Sequence, residues 1–333
     1  EANRLFAKYI SENYGNWIRN NNGPLLSNNI LKEKLFPQLK SNQKQSTLLL
    51  IIDNLRYDQW KIISPIIENY YQIKEEFPYF SILPTATHYA RNAIFSGLMP
   101  LEMQKIHPDL WINEDERIGK NLNEKSFLFS HLKRIKLDLK FNYSKITNIK
   151  AGRDLVAKIQ NYQKDDLLVV VYNFVDMISH AKTEMEIIKE LASDNKAFRS
   201  LTLSWFKNSP LLEIIQKASE LRFDLVITTD HGTVNVDKAI EVIGTKETSS
   251  NLRYKTGQSI SYNKKEVLEI IDPTELKLPS PQINSKFIFA KEQGYFVYQN
   301  NFNHFANHYR NTYQHGGISM EEMIIPFVTM SPR

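Results

Sequence analysis

Three short apolar runs, each closing on an aspartate, constrain this chain more than any other feature. They are Thr47-Leu-Leu-Leu-Ile-Ile-Asp53, Leu167-Leu-Val-Val-Val-Tyr-Asn-Phe-Val-Asp176 and Asp224-Leu-Val-Ile-Thr-Thr-Asp230. Apolar runs without polar alternation fit strands of a parallel sheet covered on both faces. In open parallel sheets the carboxyl ends of the strands border the crevice where ligands bind. The pattern therefore predicts Asp53, Asp176 and Asp230 on one edge of one sheet. His180 follows Asp176 by one helical turn, which puts both on one face. His231 follows Asp230 directly, and His315-Gly316-Gly317 stands near the C-terminus.

Strands alternating with helices along the chain argue for an α/β class, a doubly wound and mostly parallel sheet. A helix is expected from Tyr57 to Tyr70, with Pro65 as a kink or break. Phe80-Ser-Ile-Leu83 reads as a second short strand, and Arg91 to Leu98 as a helix ended by the Gly97–Pro100 turn. A further helix and strand fall in 126–150, and a long helical stretch in about 182–218. Residues 1–44 read as a helical linker or N-terminal appendage, with Leu5, Phe6, Tyr9, Ile10 and Trp17 on one apolar face. Residues 45–333 then form the main domain. Its less regular part, about 235–310, is rich in Asn, Lys, Ser and aromatics and reads as an inserted cap.

The 333 residues include no cysteine. That excludes thiolate zinc sites, a cysteine nucleophile and a disulfide framework, and it suits the reducing cytoplasm. A net charge of +5 is either a solvated lysine-rich surface or an attraction to a phosphate-bearing partner. No apolar stretch approaches the ~20 residues of a membrane span, so no membrane insertion is expected. No signal-peptide pattern opens the chain. Beginning at Glu1, it reads as a fragment of a longer protein.

Carboxylates and imidazoles together suit zinc, or manganese and iron at higher coordination. Six such groups exceed one tetrahedral zinc but suit a pair of ions about 4 Å apart. The candidate nucleophile falls in Leu83-Pro-Thr-Ala-Thr-His-Tyr-Ala-Arg-Asn92, where a strand is expected to give way to a helix, with an N-cap as the other role open to its threonines. A threonine at a helix start lies near unpaired amides and the positive end of the helix dipole, a favourable place for an alkoxide and a phosphoryl oxygen. Its hydroxyl needs a metal ion to become nucleophilic. Thr87 and Thr85 both meet this description. Arg91, one turn on, either holds a phosphate or pairs in a salt bridge. Arg253 and Lys255 either bind substrate phosphates or stay solvated. Tyr89 and Tyr254 either stack on bases or pack in the core.

In this order, Asp53, Thr87, Asp176 with His180, Asp230-His231 and His315 resemble the alkaline phosphatase superfamily, and within it the PglZ domain. Leu83–Pro100 and His315–Pro326 are similar to the effector domain of PorX-type response regulators. The resemblance covers about 46–333 and implies a metal-dependent phosphodiesterase with two zinc ions. One ion would be held by Asp176, His180 and His315, the other by Asp53, Asp230 and His231 beside Thr87. It favours Thr87 over Thr85 as nucleophile. It also implies cyclic or linear oligonucleotide or nucleotide phosphodiester substrates, control of type IX secretion, signalling protein partners and a homodimer formed through N-terminal or preceding regions. A sulfatase on this fold needs a cysteine or serine where threonine stands here. A phosphomonoesterase or phosphomutase of the same superfamily, and a metal-bound non-enzymatic signalling module, remain as alternatives.

Overall fold

A computed structural model describes residues 1–41, 45–113, 121–173, 190, 192, 194–244, 248–280 and 284–333. The central sheet has six strands: β1 (Thr47–Ile52), β2 (Tyr71–Phe80), β3 (Phe141–Ile146), β4 (Leu167–Tyr172), β5 (Asp224–Thr228) and β14 (Ile324–Pro332), in the order β2-β14-β5-β1-β4-β3. Neighbours among β3, β4, β1 and β5 run parallel. β14 runs antiparallel to both of its neighbours, β5 and β2. The mixed α/β architecture, the largely parallel sheet and the N-terminal helix agree with the sequence expectation.

The apolar runs lie where their lack of alternation requires. All six residues of β1 and of β4 are buried. Leu49, Ile51, Val169 and Val171 enter the core on one face of the sheet, while Leu48, Leu50, Ile52 and Val170 enter the core on the other. Each such side chain contributes about 1.5–3 kcal/mol by leaving water. One face is covered by helices that include Thr87–Ser96 and Glu124–Arg134, the other by Tyr57–Ile67, Ile149–Lys158, Asn195–Lys207 and Pro210–Glu220.

β2 departs from the expected short strand at 80–83. It ends at Phe80, and its sequence Tyr-Gln-Ile-Lys-Glu-Glu-Phe-Pro-Tyr-Phe is polar at most solvent-facing positions. β2 is a sheet edge, where charges and a proline are tolerated and block further strand addition. A search for continuous apolar runs passes over such a strand. The expected helix at 91–98 starts earlier, at Thr87, and ends at Ser96, where Gly97 takes a left-handed φ of 65°. Pro65 lies within the last turn of its helix without breaking it. Among the described residues of the stretch near 182–218, the helices Asn195–Lys207 and Pro210–Glu220 are separated at Asn208-Ser209.

The helix Ala2–Asn20 turns inward a face that overlaps the expected one. Ile10 and Trp17 are buried and Phe6 packs against the core, but Leu5 and Tyr9 are 58% and 50% exposed, and Ala7 and Tyr14 are buried beside Ile10 and Trp17. This face joins the same core as Leu49 and Ile51. Leu83 N–H donates to Tyr14 Oη at 2.9 Å, tying this helix to the loop before Thr87.

Between β5 and β14 the chain forms β6 (Val234–Asn235), β7 (Lys238–Ile243), β8 (Tyr254–Gly257), β9 (Ser261–Tyr262), β10 (Val267–Ile270), β11 (Lys286–Ala290), β12 (Gly294–Tyr298) and β13 (Tyr313–Gln314). β10-β11-β8 and β12-β7-β9 are separate three-stranded sheets, and β13 pairs with β6. The first of these meets the helix Thr87–Ser96 through aromatic edges. Tyr89 stands edge-on to Tyr254 and Phe287 at centroid distances of 5.8 and 6.4 Å. Packing is thus the role in which Tyr89 and Tyr254 are seen.

Candidate active site

Asp53 follows the last residue of β1, and Asp230 stands two residues beyond β5, the neighbouring parallel strand. Both are buried at the carboxyl edge of the sheet. Asn54 N–H and His231 N–H donate to Asp230 Oδ1 at 3.3 and 3.1 Å, which fixes that carboxylate. Among the described residues, Asp53, Asp230 and His231 each offer a ligand atom within 4.8 Å of the others. The Asp-His-Gly spacing has a steric reason: a Cβ on Gly232 would lie 2.0 Å from Glu321 O.

His231 is oriented by its own backbone. Nδ1 lies 3.0 Å from Gly232 O, an acceptor only, so Nδ1 carries the proton and Nε2 keeps its lone pair in the neutral ring. His315 repeats the arrangement, with Nδ1 3.1 Å from Thr85 O. The two imidazoles stack at 4.2 Å with 20° between planes. An imidazole whose second nitrogen donates to a carbonyl is the usual setting of a metal-ligating histidine. Asp230 Oδ2 is buried and accepts no hydrogen bond from the described residues. Two carboxylates, one of them Asp230 with this oxygen, and a lone-pair imidazole nitrogen fit a divalent ion. Asp176 and His180 lie outside the described residues.

The two threonines separate clearly. Thr85 is buried, and its hydroxyl donates to Gly317 O at 2.9 Å and accepts from Gly316 N–H at 3.0 Å. It holds the His-Gly-Gly loop. Gly316 has φ of 122°, a conformation open to glycine, which lets its amide turn toward Thr85. Thr87 is the first residue of its helix, and every other residue from Ser81 to Ser96 is buried while Thr87 is partly exposed. Its Oγ1 lies 3.2 Å from His231 Nε2.

Arg91 is fully buried at the back of this group. Nη1 is 2.7 Å from Asp53 Oδ2 and 3.4 Å from Asp230 Oδ2, and Nε is 2.6 Å from Glu124 Oε1. Burial alone would weaken its hold on the proton, but Asp53, Glu124 and Asp230 outweigh burial and raise its pKa well above the ordinary value. Of the two sequence readings, the salt bridge is the one present. Glu124 also accepts from Tyr143 Oη and, at 3.2 Å, from Lys145 Nζ. Burial lowers the Lys145 pKa, against the pull of Glu124.

Arg253 and Lys255, for which the sequence allows either a substrate phosphate or a solvated face, are both buried with their charged ends engaged inside the protein. Arg253 grips Glu322 through Nε at 3.1 Å and Nη2 at 2.6 Å. Lys255 Nζ donates to Ser249 O at 2.8 Å and lies over the Tyr298 ring. Glu322 also accepts from Gly317 N–H and Ser319 Oγ, so it braces the His-Gly-Gly loop from below. Sequence reasoning passed over Glu322, although Ser319-x-x-Glu322 carries a capping-box spacing. Glu124 had no such signal, because its partner Arg91 lies on a different helix.

The family described as BREX system PglZ alkaline phosphatase-like domain matches residues 30–330. No curated protein sequence matches the chain. Solved structures share its fold at low identity. Human ectonucleotide pyrophosphatase/phosphodiesterase 5 aligns with a TM-score of 0.57 and 13% identity over 86% of this chain and 87% of that one. Its murine counterpart, inactive and in complex with AMP, gives 0.51 and 13% over the same shares. Phosphonoacetate hydrolase from Sinorhizobium meliloti 1021, in complex with phosphonoacetate, gives 0.54 and 11% over 86% and 90%.

Proposed function

The chain belongs to the PglZ alkaline phosphatase-like family, and from that premise we propose that it is a metal-dependent phosphodiesterase whose nucleophile is Thr87. The observation that carries the proposal is the placement of a partly exposed helix-start hydroxyl 3.2 Å from His231 Nε2, beside Asp53 and Asp230. Thr85 is a poor alternative, since its hydroxyl is spent on the backbone of Gly316 and Gly317.

Asp53, Asp230 and His231 would hold one zinc ion. His315, with Asp176 and His180, would hold a second, an assignment that rests on sequence order and on the tautomer set by Thr85 O. When bound, the ions supply Lewis acidity that lowers the pKa of the threonine hydroxyl and offsets charge on the phosphoryl oxygens. The rest falls to the chain. Thr87 Oγ1 bonds to phosphorus as the bond to the leaving oxygen breaks; the hydroxyl proton passes to solvent, and the leaving oxygen takes one up. The amides at the start of the Thr87–Ser96 helix favour the phosphoryl oxygens by their partial charge. Water then adds to phosphorus, the Thr87 Oγ1–phosphorus bond breaks, and the hydroxyl is restored.

The substrates proposed are nucleotide or oligonucleotide phosphodiesters, a class in keeping with the AMP held by one fold neighbour. Because Arg91, Arg253 and Lys255 are paired internally, the helix start and the ions would meet the phosphate. A place in response-regulator signalling linked to type IX secretion rests on the two PorX-like stretches, 83–100 and 315–326. The test of the enzymatic reading is turnover of bis-p-nitrophenyl phosphate against p-nitrophenyl phosphate, with bound zinc counted on the same protein. Diester preference with two ions per chain is expected. Monoester preference, or a chain that takes up no metal, would overturn it.

A further inference from the structure

We propose that Arg91 is a positioning residue that serves as a resident cation for Asp53 and Asp230, keeping the site assembled without metal and weakening its grip on a divalent ion. The proposal rests on the metal reading of Asp53, Asp230 and His231 given above. Asp53 and Asp230 are buried with ligand atoms within 4.8 Å of each other. Two carboxylates so placed repel each other and have lost most of their hydration, a state that persists only with a compensating cation. Arg91 supplies it, with Nη1 at 2.7 Å from one carboxylate and 3.4 Å from the other.

The guanidinium is held from behind as firmly as it holds. Glu124 takes Nε at 2.6 Å. Asn121, with its carboxamide oxygen turned toward the cations, accepts from Arg91 Nη2 at 2.7 Å and Lys145 Nζ at 3.2 Å. Charges therefore alternate inward from the site: two carboxylates, Arg91, Glu124, Lys145. Guanidinium is the group suited to such a position, because its planar donors fix a geometry and it does not shed its proton on burial. Arg91 and Thr87 share one helix, so the same element aims the hydroxyl and anchors the carboxylates.

An ion entering beside Asp53 and Asp230 meets a fixed positive charge in a buried setting, where Coulomb interactions are weakly screened. Removing Arg91 should tighten metal binding and destabilise the metal-free protein. Removing Glu124, which offsets Arg91, should act on affinity in the opposite sense. The experiment is a chelator-buffered Zn2+ titration of the whole chain as wild type, Arg91→Gln and Glu124→Gln, with thermal unfolding of metal-free and zinc-loaded protein.

Arg91→Gln is expected to lower the zinc Kd at least about tenfold, and to lower Tm more in the metal-free than in the loaded form. Glu124→Gln is expected to raise the Kd. Should Arg91→Gln fail to fold without metal, the sign of the Glu124→Gln shift decides. Zinc binding by the wild type with Kd unchanged in both variants, and equal Tm losses with and without metal, would reduce Arg91 to ordinary core packing and leave the metal reading standing. A wild type that takes up no zinc would remove the metal reading and this proposal with it.

Discussion

Replacing Thr85 by valine should cost the chain stability while leaving the Thr87 hydroxyl, the proposed nucleophile, in place. Valine keeps the shape of the side chain but deletes a hydroxyl that donates to Gly317 O at 2.9 Å and accepts from Gly316 N–H at 3.0 Å. Thr85 is fully buried, so water does not readily replace either bond. A buried polar group stripped of its partner costs about 1–3 kcal/mol, which for one amide and one carbonyl sums to roughly 2–6 kcal/mol. Urea-induced unfolding followed by tryptophan fluorescence measures this directly. Thr85→Ser keeps the hydroxyl and should lose only about 1 kcal/mol, from the missing methyl group. Thr87→Val should stay within about 1 kcal/mol of wild type, since it gives up one partly exposed bond to His231. Because the Thr85 hydroxyl holds Gly316 and Gly317, which follow His315 directly, loosening that loop by Thr85→Val should also weaken zinc binding. A Thr85→Val protein within about 0.5 kcal/mol of wild type, or one no less stable than Thr87→Val, would refute the assignment of Thr85 to holding the loop.

Three further outcomes can be checked. Thr87→Ala should bring diester turnover to background and abolish a covalent phosphothreonine detectable by mass spectrometry, with bound metal unchanged; turnover retained with metal in place would mean another nucleophile. Glu322→Gln leaves Arg253 buried without its anionic partner and should cost about 3–5 kcal/mol, with faster amide exchange at 316–318; unchanged exchange there would show that the loop is held by other contacts. Burial, with help from Arg134, lowers the His131 pKa from the ordinary 6.5 to about 4. The unfolded chain takes up a proton first, so this contribution is complete above pH 6.5, is lost as pH falls toward 4 and amounts to about 3 kcal/mol. His131→Asn should flatten the pH dependence of the urea midpoint across that window, and parallel curves for variant and wild type would refute it.

How much of this was legible in the sequence depended on whether a residue's environment left a local trace. β1, β4 and β5 announced themselves because strands covered on both faces have no polar alternation, and their ends carried Asp53 and Asp230 with them. The tie between Thr85 and the His-Gly-Gly loop, and with it the separation of Thr85 from Thr87, is a long-range contact that chain spacing does not encode. The same holds for Arg91 and Glu124, which are 33 residues apart on different helices. β2 was misplaced because an edge strand with two glutamates and a proline lacks the core signature. Of β14 only Ile324-Ile325-Pro326 falls in a stretch read from sequence, as a likeness to a family and not as a strand, since the edges it fills are set by β2 and β5, far upstream.

That placement of β14 bears on the order in which the molecule can come into being. A chain emerging from the ribosome has made every other strand of the central sheet before residue 324. Until β14 arrives, β5 and β2 present facing, unfilled edges, and the sheet stands open in its interior. The His-Gly-Gly loop is made only a few residues earlier, so the last ligand candidate and the strand that closes the sheet reach the fold almost together. Nascent chains would therefore carry neither a complete sheet nor a complete candidate site until β14 is made. Open edges of this kind invite pairing with other chains, so the interval before closure is when the protein most needs shielding.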